Sequence, residues 1–160
     1  MRKEGISITD VALAVRSGNV DALKGLVLNN PDLVNTYDER GFPPIVLAAY
    51  NDQSEMVQFL LNHGAIIDAR DNSGNTALMG VCFKGYLNIA KLLIDAGADV
   101  NAQNLNGATA LTFACSFNRK EMAELLIGNN ADPTLKDSRG NTPTDHARMQ
   151  GLKWVDEFLR

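Results

Sequence analysis

The side chains best suited to covalent or metal chemistry in this sequence are Cys82, Cys115, His63 and His146. A cysteine acts as nucleophile or ligand only as a thiolate, and that needs a nearby base, a cation or a metal. Neither cysteine has such a set around it, and no Ser or Thr has a credible base and orienting group nearby. The two cysteines lie 33 residues apart. If that places them on neighbouring stacked helices, the axes are about 8–10 Å apart, whereas a disulfide needs Cα atoms within about 7 Å. Two buried, inert thiols are therefore expected, compatible with a reducing compartment. The histidines have no third ligand at a metal-like spacing, and His63 stands just before Gly64, where a helix end suits it. GVCFKGY (80–86) has the glycine spacing of a phosphate loop but not its following Lys and Ser/Thr. DARDNSGN (68–75) has the early acids of a calcium loop and no late Glu. No catalytic residue, no metal and no cofactor are expected.

Composition narrows the remaining classes. Fifteen Lys plus Arg face nineteen Asp plus Glu, a net charge of −4. That balance does not supply the basic stripe of a nucleic-acid binder. No apolar run approaches the roughly 20 residues that span a bilayer. The opening MRKEGISITD has two basic residues but no apolar stretch behind them, so a secretory leader is not expected and a cytoplasmic setting is. At 45% hydrophobic and 21% charged residues the chain can fold around a core.

The elements that would position any site come from a repeat. Gly41, Gly74, Gly107 and Gly140 are spaced by 33 residues, within DERGFPPI, DNSGNTAL, NLNGATAL and DSRGNTPT. Leu60, Leu93 and Leu126 keep the same spacing, as do GAIIDA, GADVNA and NADPTL. Each unit reads as turn, helix, helix. Asp38, Asp71, Asn104 and Asp137 suit a tight turn, because a short polar side chain hydrogen-bonds the backbone two residues on. Thr76, Thr109 and Thr142 suit helix N-caps, and Pro44 and Pro143 the first helical turn. TALMGVCFKG (76–85) reads as a first helix stopped by Gly85, and LNIAKLLIDAG (87–97) as a second with apolar residues at helical spacing.

With these residues in view, the chain resembles an ankyrin-repeat protein over about residues 9–160. The segments GNTAL, LLIDAGADVNAQN and GNTPTDHA carry the likeness at the 33-residue period. The resemblance implies an all-α solenoid of about five helix-turn-helix pairs with β-hairpin-like fingers, forming one domain. Its units would be about 6–37 (an N-terminal cap with NPDLVN in its finger), 38–70, 71–103, 104–136 and 137–160 (a C-terminal cap with Trp154 and Phe158 facing inward). The all-repeat organisation is similar to that of small stand-alone ankyrin proteins found in bacteria. One unit cannot bury its own apolar face, so stacked neighbours must build a continuous core.

Several positions depart from the family pattern. The usual His of the turn is replaced by Val46, Met79, Thr112 and Asp145, so apolar contact is expected in place of part of a polar ladder. Pro43 replaces a capping Thr. Gly80 stands mid-helix, where Gly costs about 1 kcal/mol relative to Ala. Its equivalents Leu47 and Phe113 are large, which suggests that Phe113 fills the space over Gly80.

The resemblance implies a non-catalytic protein-interaction module acting as adaptor, regulator or inhibitor. It binds a protein partner, with no nucleic acid or membrane, and is expected to be monomeric. A structural subunit that self-associates through the same surface is the alternative. Partner contacts carried over position by position fall on the finger tips (Glu39, Arg40, Asn72, Leu105, Asn106, Ser138, Arg139), just past the turn glycine (Phe42, Asn75), and at the end of the first helix (Tyr50, Asn51, Phe83, Lys84, Ser116, Phe117). Aromatic residues make up only 6% of the chain, so Phe42, Tyr50, Phe83 and Phe117 at these positions weigh most, since aromatics favour binding hot spots. Packing against the next unit's first helix is the other role open to them. Glu55, Lys91, Lys120, Glu121 and Glu124 are expected on a solvated outer face.

Overall fold

A computed structural model describes residues 8–158, without the side chains of Ile8 and Phe158. The expected start of the first unit near residue 6, most of MRKEGISITD and the inward face of Phe158 lie outside the described residues.

Five helix pairs follow one another: α1 (Ile8–Arg16) with α2 (Val20–Asn29), α3 (Pro44–Tyr50) with α4 (Ser54–Asn62), and α5 (Ala77–Lys84) with α6 (Leu87–Asp95). Then come α7 (Ala110–Ser116) with α8 (Lys120–Gly128), and α9 (Pro143–Met149) with α10 (Trp154–Phe158). A 3₁₀ turn at Pro31–Asn35 lengthens the first finger, and no strand occurs among the described residues. The first helices α1, α3, α5, α7 and α9 pack side by side in one layer, and α2, α4, α6 and α8 form a second. Between the layers lie Ile45, Leu78 and Leu111, and from the second helices Leu60, Leu93 and Leu126, all essentially sealed from water. The chain is thus an all-α repeat solenoid.

Local chemistry sets the helix ends. The Thr76, Thr109 and Thr142 hydroxyls accept from the backbone N–H of Met79, Thr112 and Asp145. Thr112 and Asp145 return a bond to the cap residue's own N–H, completing a reciprocal cap. Two of the four positions where the resemblance would place a His therefore serve helix starts. α3 has no hydroxyl cap and enters through Pro43 and Pro44, where a missing N–H is harmless. The turn between paired helices requires a left-handed residue. Gly18, Gly85 and Gly151 supply it in three units, while Asp52 (φ +56°) and Asn118 (φ +55°) do so in the others, as short polar side chains tolerate this region.

The fingers close as hairpin-like turns. Asp38, Asp71, Asn104 and Asp137 each accept two backbone N–H bonds at one side-chain oxygen, all at 2.8–3.0 Å. Successive fingers are joined edge to edge: Asn72 Nδ2 donates to the Arg40 carbonyl at 3.0 Å, Leu105 N–H to Ser73 and Ser138 N–H to Asn106. A Cβ at Gly74 would stand 2.9 Å from the Leu105 backbone nitrogen, so close finger stacking excludes a side chain there.

The far end is sealed chiefly by Val155, which is fully buried. Trp154 is half-buried against the core, as expected, with its Nε1 donating to Asn118 at 2.9 Å. Glu55, Lys91, Lys120, Glu121 and Glu124 are exposed on the second-helix side.

Candidate partner-binding groove

The ends of the first helices and the fingers form one continuous inner face. Residues Arg16, Tyr50, Phe83, Ser116 and Met149 share a register at the helix ends. Two of the aromatics among them begin a run across three units. The Tyr50 and Phe83 rings stack with centroids 6.2 Å apart. Phe83 meets Phe117 edge-on at 4.6 Å, and Phe117 lies parallel to Phe113 at 6.5 Å. Lys84 Nζ stands 4.8 Å from the centroid of the Tyr50 ring. Tyr50 and Phe117 stay 40% and 46% exposed, so these rings give the face apolar area that water still reaches.

Beneath the run is a cavity of about 320 Å³ whose apolar walls include Leu47, Met79, Phe83 and Phe113. Gly80 also lines it. The expectation that Phe113 covers Gly80 is corrected here: a Cβ at Gly80 would meet Tyr50 Cδ2 at 2.9 Å and Cε2 at 3.3 Å, with no other atom nearby. Helical side chains lean toward the N-terminus. Tyr50 of α3 thus reaches back over the turn of α5 that holds Gly80, while Phe113 pairs with Phe117 instead. Partial burial raises the Tyr50 phenol above its ordinary range, helped by the negative charge of Asp71 and by Tyr86.

A second cavity of about 310 Å³ adjoins the first, sharing Phe113 and Phe117, but it is lined by Asn104, Thr112, Asp137 and His146. His146 Nε2 lies 2.6 Å from Asp137 Oδ2. Burial pushes the Asp137 carboxyl upward, but the N–H groups of Asn141 and Arg139 and the His146 ring outweigh this and hold it below the usual carboxylate range. His63 turns the other way, its Nδ1 2.8 Å from the Phe59 carbonyl at the end of α4. Both cysteines are free and fully buried. Burial drives the Cys115 thiol up to about 12 and raises that of Cys82 as well, so neither supplies a thiolate. Among the described residues no three His, Cys, Asp or Glu side chains are grouped to hold a metal.

The residues singled out from the sequence divide between these places. Phe42, Tyr50, Asn51, Asn75, Phe83 and Phe117 line the first cavity; Asn106, Ser116, Phe117, Ser138 and Arg139 line the second. Glu39, Arg40, Asn72, Lys84 and Leu105 lie outside both. Several also carry structural bonds: Asn51 Nδ2 donates to Leu47 at 2.7 Å, Glu39 accepts from Thr9 at 3.3 Å, and the Ser116 carbonyl accepts from Gln150. Leu105 is 76% exposed at its finger tip. Phe42 is half-buried against the core. The sequence reading missed Asp71, the Asp137–His146 pair and Gly80 as residues that line the cavities. The chemistry at position 80 was visible as a small residue among large equivalents, but the neighbour that exploits it was not.

A one-dimensional stack of helix pairs with finger loops along one edge defines an α-solenoid of short repeats. The chain belongs to the ankyrin-repeat family: it matches "Ankyrin repeats (3 copies)" over residues 11–104 and "Ankyrin repeats (many copies)" over residues 93–147. No individual curated protein matches it. Ankyrin repeats are generally protein–protein interaction modules. No described helix is long and apolar enough to cross a membrane.

Proposed function

We propose that this chain is a non-catalytic binding module whose five helix pairs act as one domain and present the inner face to a protein partner, as adaptor, regulator or inhibitor. The observation that carries this reading is the aromatic run Tyr50–Phe83–Phe117 over an open apolar cavity. The rings are held by one another and by the helix ends, so they offer contact area at low entropic cost. The cavities would anchor the centre of the interface. Glu39, Arg40, Asn72, Lys84, Leu105, Ser138 and Arg139 would form its polar and finger-tip rim. A standard interface of about 800 Å² per partner fits across three or four units. The module works as a monomer. The buried, unpaired Cys82 and Cys115 suit a reducing setting such as the cytoplasm.

The test is capture of a partner by the wild type and by the triple variant Tyr50→Ala, Phe83→Ala, Phe117→Ala, with each protein's melting checked by circular dichroism. If these are hot spots, each single change weakens binding by about 2 kcal/mol and the folded triple variant retains no partner. Equal recovery by a folded triple variant would refute the surface. Light scattering over a concentration series separates this reading from self-association, because a subunit that pairs through the same rings would grow in mass with concentration.

A further inference from the structure

Each finger base carries a carboxylate or a carboxamide, and the units differ in what stands beside it. In the second unit Asp38 Oδ2 meets Arg16 Nη2 at 2.7 Å. In the last, Asp137 Oδ2 meets His146 Nε2 at 2.6 Å. Asn104 is uncharged, and its Nδ2 donates to Asn75 Oδ1 at 2.8 Å. Asp71 commits Oδ1 to the N–H groups of Ser73 and Asn75, as its equivalents do. Among the described residues no ion pair reaches its other oxygen.

The register explains the gap. Arg16 of α1 corresponds to Tyr50 of α3, and His146 of α9 corresponds to Gly80 of α5. The array supplies a cation to a finger carboxylate from one of these two positions. Beside Asp71 both are held by groups without charge, a phenol and a hydrogen. Asp71 and Gly80 instead line the same aromatic-walled cavity of about 320 Å³. A carboxylate beside apolar walls is screened less than one in open water, so a cation from outside gains more here than at an open surface.

We propose that this cavity takes an arginine side chain of the partner polypeptide, its guanidinium on the Asp71 carboxylate and its aliphatic stem against the apolar walls. The inference rests on the inner-face reading above and narrows it to one partner chemistry. A guanidinium is weakly hydrated, stacks on aromatic rings and matches a carboxylate with planar donors, which favours arginine over lysine. No Lys or Arg lines the cavity, and Lys84 sits over the Tyr50 ring.

A displayed library of random linear peptides, selected in parallel on the wild type and on Asp71→Asn, tests this. Asn104 does the same finger work in the next unit, so the variant keeps its turn. The wild-type pool should converge on peptides with one arginine at a fixed position. Replacing that arginine by citrulline, which keeps the shape and removes the charge, should weaken binding to the wild type about tenfold or more, the worth of a hydrogen bond to a charged group. Asp71→Asn should lose a similar factor and become indifferent to the replacement. Peptides that lose affinity with Phe83→Ala, yet ignore both Asp71→Asn and citrulline, would overturn the arginine while leaving the groove intact. Peptides that ignore Phe83→Ala as well, or a wild-type selection that yields nothing above background, would overturn both.

Discussion

The cavity between α3, α5 and α7 and its neighbour between α7 and α9 share Phe113 and Phe117 as a common wall, and both are built from the same 33-residue unit. At the position that is Gly80 in one, the other has His146. The imidazole reaches Asp137 and closes that finger with an internal pair, leaving a polar bay that satisfies itself. Gly80 reaches nothing, Tyr50 leans over it, and the bay stays apolar with Asp71 at its edge. A repeat architecture fixes where side chains emerge. Single positions then decide whether a bay is completed from within or left for a partner.

Filling the open bay should have the largest effect on the fold. Gly80→Leu forces a branched side chain against the Tyr50 ring. Overpacking of this kind costs about 1–3 kcal/mol, offset by the roughly 1 kcal/mol gained on removing a mid-helix glycine. Because the first side-chain atom already meets the ring at 2.9 Å, the upper end of that cost applies, and the net expectation is a loss of about 2 kcal/mol, or roughly 4–8 °C in melting temperature. An unchanged or higher melting temperature would show that the bay has slack and that Tyr50 is not held over Gly80.

Opening the completed bay should cost less. His146→Ala removes the pair to Asp137 and is expected to lower stability by about 1 kcal/mol at neutral pH, as for a partly exposed charged hydrogen bond. The folded-state pKa of Asp137 is depressed, so its contribution is fully present above the ordinary aspartate value near pH 4 and is lost as pH falls through the lower folded value. Urea unfolding at several pH values should therefore show the gap between wild type and His146→Ala closing below about pH 4. A gap independent of pH would remove the pair from the comparison.

A double-mutant cycle sharpens the contact itself. In a Tyr50→Ala background, Gly80→Ala should stabilise by about 1 kcal/mol through helix propensity alone. With Tyr50 present the gain should shrink or reverse, because the new methyl group meets the ring at 2.9 Å. Equal effects in both backgrounds would dissolve the coupling. The smallest change is expected from Asp71→Asn, within about 0.5 kcal/mol, since Asn104 already builds the same turn in the next finger.

Most of the fold was legible because it is periodic. The Asp or Asn at each finger base, the threonine caps and the turn glycines Gly41, Gly74, Gly107 and Gly140 recur at 33 residues, and each follows from local backbone chemistry that needs no knowledge of neighbours. Cys82 and Cys115 read correctly as buried thiols for the same reason. The groove was legible only in part. Tyr50, Phe83 and Phe117 stand out as aromatics at helix ends, but comparison at equal register pointed to Phe113 as the neighbour of Gly80. The actual contact is offset by one helical turn, because side chains lean toward the N-terminus of their own helix. The Asp137–His146 pair was hidden because His146 was weighed as a metal ligand, not against the finger base nine residues before it. Asp71 stood out in the sequence only as a residue suited to the finger turn. Its place beside the cavity depends on how two units stack.

The inner face can be tested most directly by placing a photoreactive phenylalanine analogue at Phe117 and, separately, at Lys91 on the exposed second-helix side, and irradiating each with the partner bound. A covalent adduct to the partner from position 117 and none from position 91 is the predicted result; adducts from position 91 with none from 117 would contradict it.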